Sequence, residues 1–118
     1  MKFSIEVQEA LKDCILNVIW PKEDIISFLK KHGCTKTDLA PIRKHTDLTR
    51  SKMVYLVFRQ LSSRDDGGLL TFRNMNRSLL NWKSFNKYYF DDLKKLKRED
   101  AEKAVSNLVE VQTYLEKG

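Results

Sequence analysis

The sequence predicts an all-α protein: a compact bundle of five to six helices forming a single domain over residues 1–118, with a long last helix. Three observations predict it. Apolar residues recur at spacings of three and four along most of the chain, the period of a helix with one buried face. Gly and Pro are few, at four and two, which argues against a turn-rich β-protein. No segment alternates convincingly between apolar and polar residues; "MVYLVF" is β-prone, but its flanks and spacing fit a helix better. With 118 residues, 42% hydrophobic and 32% charged, the chain is long enough to bury a real core.

The elements follow in order. In "FSIEVQEALKDCILNVI" the stripe Phe3, Val7, Ala10, Leu11, Cys14, Ile15 and Val18 defines a first helix. Trp20-Pro21 ends it, because proline disfavours a helical residue before it. Pro21 suits the first turn of a second helix, where Glu23 and Asp24 complement the N-terminus. Ile25, Ile26, Phe28 and Leu29 are its apolar face. Lys30, Lys31 and His32 sit at its C-terminal end, and Gly33 is the expected left-handed cap. Thr35 or Thr37 caps a short third helix through Leu39 and Ile42, with Pro41 inside it. Thr49 caps a fourth, "RSKMVYLVFRQL", with the stripe Met53, Leu56, Val57, Gln60 and Leu61. "SSRDDGG" is a loop signal. A fifth helix begins at about Leu69 and runs through Phe72, Met75, Leu79 and Leu80. "DDLKKLKRED" reads as a charged connector. A sixth helix starts near Glu99 and carries Ala101, Ala104, Val105, Leu108, Val111 and Leu115 almost to the last residue.

Charge is unevenly distributed. The net charge is +6, and residues 43–90 hold ten basic side chains (Arg43, Lys44, Arg50, Lys52, Arg59, Arg64, Arg73, Arg77, Lys83, Lys87) against Asp47, Asp65 and Asp66. Such a local excess attracts a polyanion or an acidic protein, or stands as a solvated face. On the expected fourth and fifth helices, Lys52, Tyr55 and Arg59 fall on one outer face and Arg73 and Arg77 on another. With Arg43, Lys44 and Arg50 they form the candidate polyanion or partner face. "DLAPIRKHTDLTRSKMVYLVFRQL" reads superficially as a helix-turn-helix whose second helix opens at Thr49-Arg50-Ser51. Pro41, a turn too long for the tight motif and a helix where a β-wing should follow count against that reading.

Chemistry-bearing motifs are scarce. His32 and His45 are the only histidines, and neither stands in a local nucleophile motif. No phosphate loop, zinc spacing or nucleophile elbow occurs. The adjacent pairs Asp65-Asp66 and Asp91-Asp92 read as loop or cap residues, since neighbours in sequence do not face one another on a helix. The expectation is no enzyme, no cofactor and no metal. Cys14 and Cys34 lack metal spacing and read as free thiols of a reducing cytoplasm; Cys14 lies in the first apolar stripe, and Cys34, after a turn glycine, is expected to be the more accessible. The longest apolar stretch, "CILNVIW", is too short to cross a bilayer. "LLNWKSFNKYYF" gathers Trp82, Phe85, Tyr88, Tyr89 and Phe90. Trp82, Phe85 and Tyr89 share helical spacing with Leu79, so the cluster reads as a structural corner of the core, where the fifth helix turns and the sixth docks, rather than a base-stacking platform.

Two stretches, "VIWPKEDIISFLKKHGCTKTDL" and "GGLLTFRNMNRSLLNWKSFNKYYFDDLKKLKREDAEKAV", together resemble a helical module at the N-terminus of large bacterial proteins. In those proteins it precedes coiled-coil, nuclease-like or ATPase regions, and several are suspected of restriction or anti-phage defence. The elements that carry the resemblance are Trp20-Pro21, Gly33-Cys34, the 82–90 aromatics and Ala101-x-x-Ala104-Val105. It implies an accessory domain that oligomerises, senses or recruits, and brings no catalytic residue. The expected function is therefore a non-enzymatic interaction, oligomerisation or recruitment domain, the N-terminal part of a longer protein, acting through a protein partner or self-association. The alternative is a DNA- or RNA-binding domain using the 43–90 face, with weak binding.

Overall fold

The computed structural model describes residues 5–44, 47–88 and 96–117. Its central element is α1 (Ile5–Val18), which packs against α4 (Arg50–Ser62), α5 (Leu69–Leu80) and α6 (Arg98–Lys117). The helices α2 (Lys22–Lys31) and α3 (Lys36–Arg43) connect α1 to α4, and α3 lies along α4. A single 3-10 turn, Phe85–Tyr88, follows α5 and touches α6. Among the described residues there are six α-helices and no strand, as the apolar periodicity requires. Phe3, His45, Asp91-Asp92, Tyr89 and Phe90, and most of the connector before α6, lie outside the described residues.

The expected stripes form the core. Val7, Leu11, Cys14, Ile15 and Val18 of α1 are buried, as are Ala101, Ala104, Leu108, Val111 and Leu115 of α6. One stripe needs correction. On α4, Val54 and Phe58 are buried beside Met53, Val57 and Leu61, whereas Leu56 and Gln60 lie at the edge. The helix has α3 on one side and α1 on another, so its apolar face is wider than one stripe. Phe58 then meets Phe72 of α5 edge to face, with centroids 5.0 Å apart.

Helix ends follow the expected capping chemistry, with small shifts. Pro21 is the N-cap of α2 rather than a residue of its first turn. Thr35, not Thr37, caps α3, and Asp38 completes a capping box: the Asp38 carboxylate accepts from the Thr35 backbone N–H at 2.7 Å. Thr49 caps α4, its hydroxyl accepting from the Lys52 N–H at 3.1 Å. Before α5, Asp66 accepts from the N–H groups of Gly68 and Leu70. Gly68 has φ +82°, and a Cβ there would lie 2.9 Å from the Phe72 ring, so glycine is required on both conformational and steric grounds.

α2 ends in a Schellman motif. Gly33 takes φ +112°, its N–H donates to Lys30 O, and the Cys34 N–H donates to Leu29 O at 3.0 Å. That turn folds Cys34 inward onto the core, where it is only 7% exposed. Both cysteines are therefore buried free thiols, and the expectation of an accessible Cys34 is corrected. The motif carries its own reason, because the residue after the left-handed position packs back against the last turn.

One side chain joins the ends of several helices. Arg64, two residues past α4, donates to Asp38 at the start of α3, to Thr71 Oγ1 of α5 at 2.9 Å, and to Gly33 O at 2.9 Å. Asp38 is 2% exposed. Burial pushes its carboxyl up, but the bonds from Arg64 and Thr35 outweigh this and hold it below its ordinary value. A carboxylate with a lowered folded pKa stabilises the fold above the unfolded value of about 4, and that contribution disappears as pH falls through the folded value.

Two predictions follow from this packing. Arg64→Ala leaves Asp38 buried without its cation and should cost about 3 kcal/mol at neutral pH, with the deficit shrinking towards about pH 2 as the carboxyl protonates. Denaturant titrations at both pH values measure it, and a deficit independent of pH would show that Arg64 acts by packing alone. Asn76 of α5 is 1% exposed, and neither polar atom of its amide has a partner among the described residues. Asn76→Leu should therefore raise stability by about 1 kcal/mol or more, read as a higher denaturation midpoint.

Candidate functional site

The basic segment divides into engaged and exposed members. The engaged ones hold helix C-termini. Arg50, the first residue of α4, donates to Trp20 O at 2.7 Å, Leu16 O at 2.6 Å and Ile19 O at 2.5 Å, and stacks 4.3 Å from the Trp20 ring. The last carbonyls of α1 lack intrahelical donors, and a guanidinium supplies both donors and positive charge. Arg73 does the same for α6, reaching Leu115 O with two nitrogens at 2.9 and 2.8 Å. Arg77 forms a bidentate pair with Glu116 at 2.7 and 2.6 Å. That pair holds the Glu116 carboxyl below its usual range, chiefly through the hydrogen bond.

Arg43, Lys44, Lys52 and Arg59 are exposed. They stand at the end of α3 and along the outer face of α4, where Tyr55 is 40% exposed. Lys52 lies 5.1 Å from the Tyr55 ring centroid, and Lys12 of α1 approaches the same ring to 5.9 Å. The structure thus brings Lys52, Tyr55 and Arg59 into one ridge with Lys12, which the sequence reading did not include. Arg73 and Arg77 belong to a separate place, against the end of α6. Arg50, the residue that would open a recognition helix, is turned towards α1. DNA-reading helices make base contacts from their N-terminal residues, and this one has its first cation committed to backbone carbonyls.

The aromatic stretch leaves the helix before it forms a helical face. α5 ends at Leu80, and Trp82 follows a turn whose N–H donates to Leu79 O. Trp82 and Phe85 are half-buried and pack on the core. Trp82 meets Phe28 of α2 at 6.1 Å, and Arg98 at the start of α6 lies 5.5 Å from the Phe85 ring. The corner therefore bridges α2 and α6 instead of continuing the Leu79 stripe. Tyr88 closes the 3-10 turn. Beside Trp82, a cavity of about 310 Å³ lies between α2 and the end of α5, with Phe28, His32 and Ser78 in its wall. The Asp24–Lys87 pair, at 3.4 Å, borders it.

A larger groove, of about 620 Å³, runs between α1 and α6. Val7, Ala10, Val111 and Tyr114 line it together with Glu6 and Glu110, and none of its described lining residues is basic. Tyr114 is 65% exposed, and Ile5 and Val109 on the same two helices are 74% and 60% exposed. The sequence concealed this groove, because it joins the edges of two stripes, Val7 and Ala10 on α1 and Val111 on α6, that meet only in the fold.

Among the described residues, no three His, Cys, Asp or Glu side chains gather as a metal site, and no helix is long and apolar enough to cross a membrane. No family model, curated protein or solved structure matches the chain.

Burial pushes both thiols up to about 12, with neighbouring Asp13 adding to Cys14 and Asp38 to Cys34. Native protein at neutral pH should therefore react with a thiol reagent at both cysteines only on the timescale of opening, and rapidly once unfolded. Fast labelling of Cys34 alone in the native state would show that the Schellman turn leaves it open.

Proposed function

We propose that this chain is a non-enzymatic helical interaction domain, the N-terminal recruitment or oligomerisation part of a larger cytoplasmic bacterial protein, with anti-phage defence as the setting that the sequence resemblance favours. One observation carries the reading: the α1–α6 groove, apolar at its floor and edged by Glu6 and Glu110, lies open beside the exposed Tyr114. Exposed apolar surface of this kind marks contact sites on proteins. The engagement of Arg50, Arg64, Arg73 and Arg77 within the fold adds support, since it removes four of the charges that made a polyanion partner attractive.

A second reading rests on exposed cations at the end of α3 and along α4: Arg43, Lys44, Lys52 and Arg59. They support weak, sequence-independent binding to nucleic acid. Four phosphate contacts give a log–log salt slope of about −3 to −4 on duplex DNA, so such a complex dissolves at physiological ionic strength.

A photo-crosslinking residue placed at position 114, and separately at position 44, decides between the two in cells. Position 114 is expected to give protein adducts and position 44 no discrete adduct. Nucleic-acid adducts from position 44 with position 114 silent would transfer the function to the basic face. Silence at both positions would remove the interaction reading.

A further inference from the structure

The groove and the α4 ridge are complementary, and we infer that they are the two halves of one contact: Tyr55 of one copy seats in the α1–α6 groove of the next, with Lys52 and Arg59 meeting Glu6 and Glu110. This inference rests on the interaction-domain reading and names the occupant of the groove as a second copy of this chain.

The chemistry matches side by side. The ridge offers an exposed aromatic ring with Lys52 at 5.1 Å from its centroid and, at 5.9 Å, Lys12, which is paired with Glu9 at 3.2 Å. Arg59 lies one turn further along the same face of α4. The groove offers an apolar floor with two carboxylates, Glu6 and Glu110, and no cation among its described lining residues. Within a chain of net charge +6, Glu6 and Glu110 give Lys52 and Arg59 of the ridge opposite charges to meet. Tyr is also well suited as an anchor, since it brings a large apolar body with few rotamers to fix.

The geometry sets the symmetry. Lys12 faces α4, whereas Glu6 and Ala10 face α6. Lys12 is two residues beyond Ala10, about 200° around the helix. Ridge and groove therefore occupy opposite flanks of α1, so one copy can use both at once. A contact between two different patches is heterologous, and it propagates into a ring or filament instead of stopping at two copies. One tyrosine and its charged neighbours make a small interface, so association belongs in the high-micromolar to millimolar range, on the order of 0.1–1 mM. It should weaken with salt, since charge pairs at its rim are screened.

Sedimentation velocity of the chain, from about 20 μM to about 1 mM at low and high salt, tests this directly. Wild type should climb past the mass of two chains at low salt and return towards one chain at high salt. Arg59→Glu and Glu110→Arg replace exposed residues and should melt with wild type, yet each should remain at the mass of one chain. Their equimolar mixture should regain association, because each variant keeps one working half and the reversed charges pair. A wild type that stays monomeric, or halts at two chains, would overturn the inference. So would association of either single variant at wild-type strength, or a mixture that stays monomeric. A monomeric wild type with protein adducts from position 114 would remove self-docking alone and leave the interaction domain in place.

Discussion

The guanidinium of Arg64 is the interaction on which the arrangement of α2, α3, α4 and α5 depends. It touches the turn after α2, the first turn of α3 and the first turn of α5, from a position just past α4. Each partner is fixed locally as well. Gly33 takes its left-handed conformation with Thr71 packed so closely that an added Cβ would lie 2.9 Å from its hydroxyl. Asp38 is already held by the Thr35 capping box. A buried ion pair of this kind is not a large net source of stability, because desolvation offsets much of the attraction. Its effect is specificity: a hydrophobic core accepts many helix arrangements, while one planar group with fixed donors accepts few.

The same logic accounts for the positive middle of the chain. Helix C-termini present carbonyls without intrahelical donors and carry partial negative charge. Both α1 and α6 end beside an arginine of another helix. Arg50 serves the first and Arg73 the second, with Arg77 securing Glu116 beside it. A basic composition in this protein is thus partly an internal requirement of an all-α fold. Of the exposed remainder, Arg43, Lys44, Lys52 and Arg59 stand at α3 and α4, and Lys83 and Lys87 follow α5.

Most of the fold was legible in the sequence because helices announce themselves locally. Period, caps and the Gly33 stop gave the helices nearly residue for residue, and Thr49 and the Ala101–Leu115 stripe lie where expected. What escaped reading depends on contacts between distant segments. Val54 and Phe58 are buried because α4 has neighbours on two sides, which a single-stripe reading of one helix does not reveal. Arg73 and Arg77 looked like an outward face of α5, and they are outward, but the end of α6 reaches them. Cys34 was misjudged for a different reason: its burial follows from a turn motif whose signal, a glycine followed by a small apolar residue, was present in the sequence. Half of the candidate site was visible as Lys52, Tyr55 and Arg59. The groove was not, since it exists only once α1 and α6 lie together.

The four engaged arginines bear on how such a sequence can drift. Each makes two or more directed bonds from one planar group, and lysine, with a single tetrahedral nitrogen, reproduces none of those patterns. Apolar positions in the core can interchange among Leu, Ile, Val and Met with repacking, and the exposed cations can interchange freely. Positions 50, 64, 73 and 77 cannot. A distant homologue whose core has been rewritten beyond alignment would still carry arginines spaced by fourteen, nine and four residues, a fingerprint written in geometry instead of hydrophobicity.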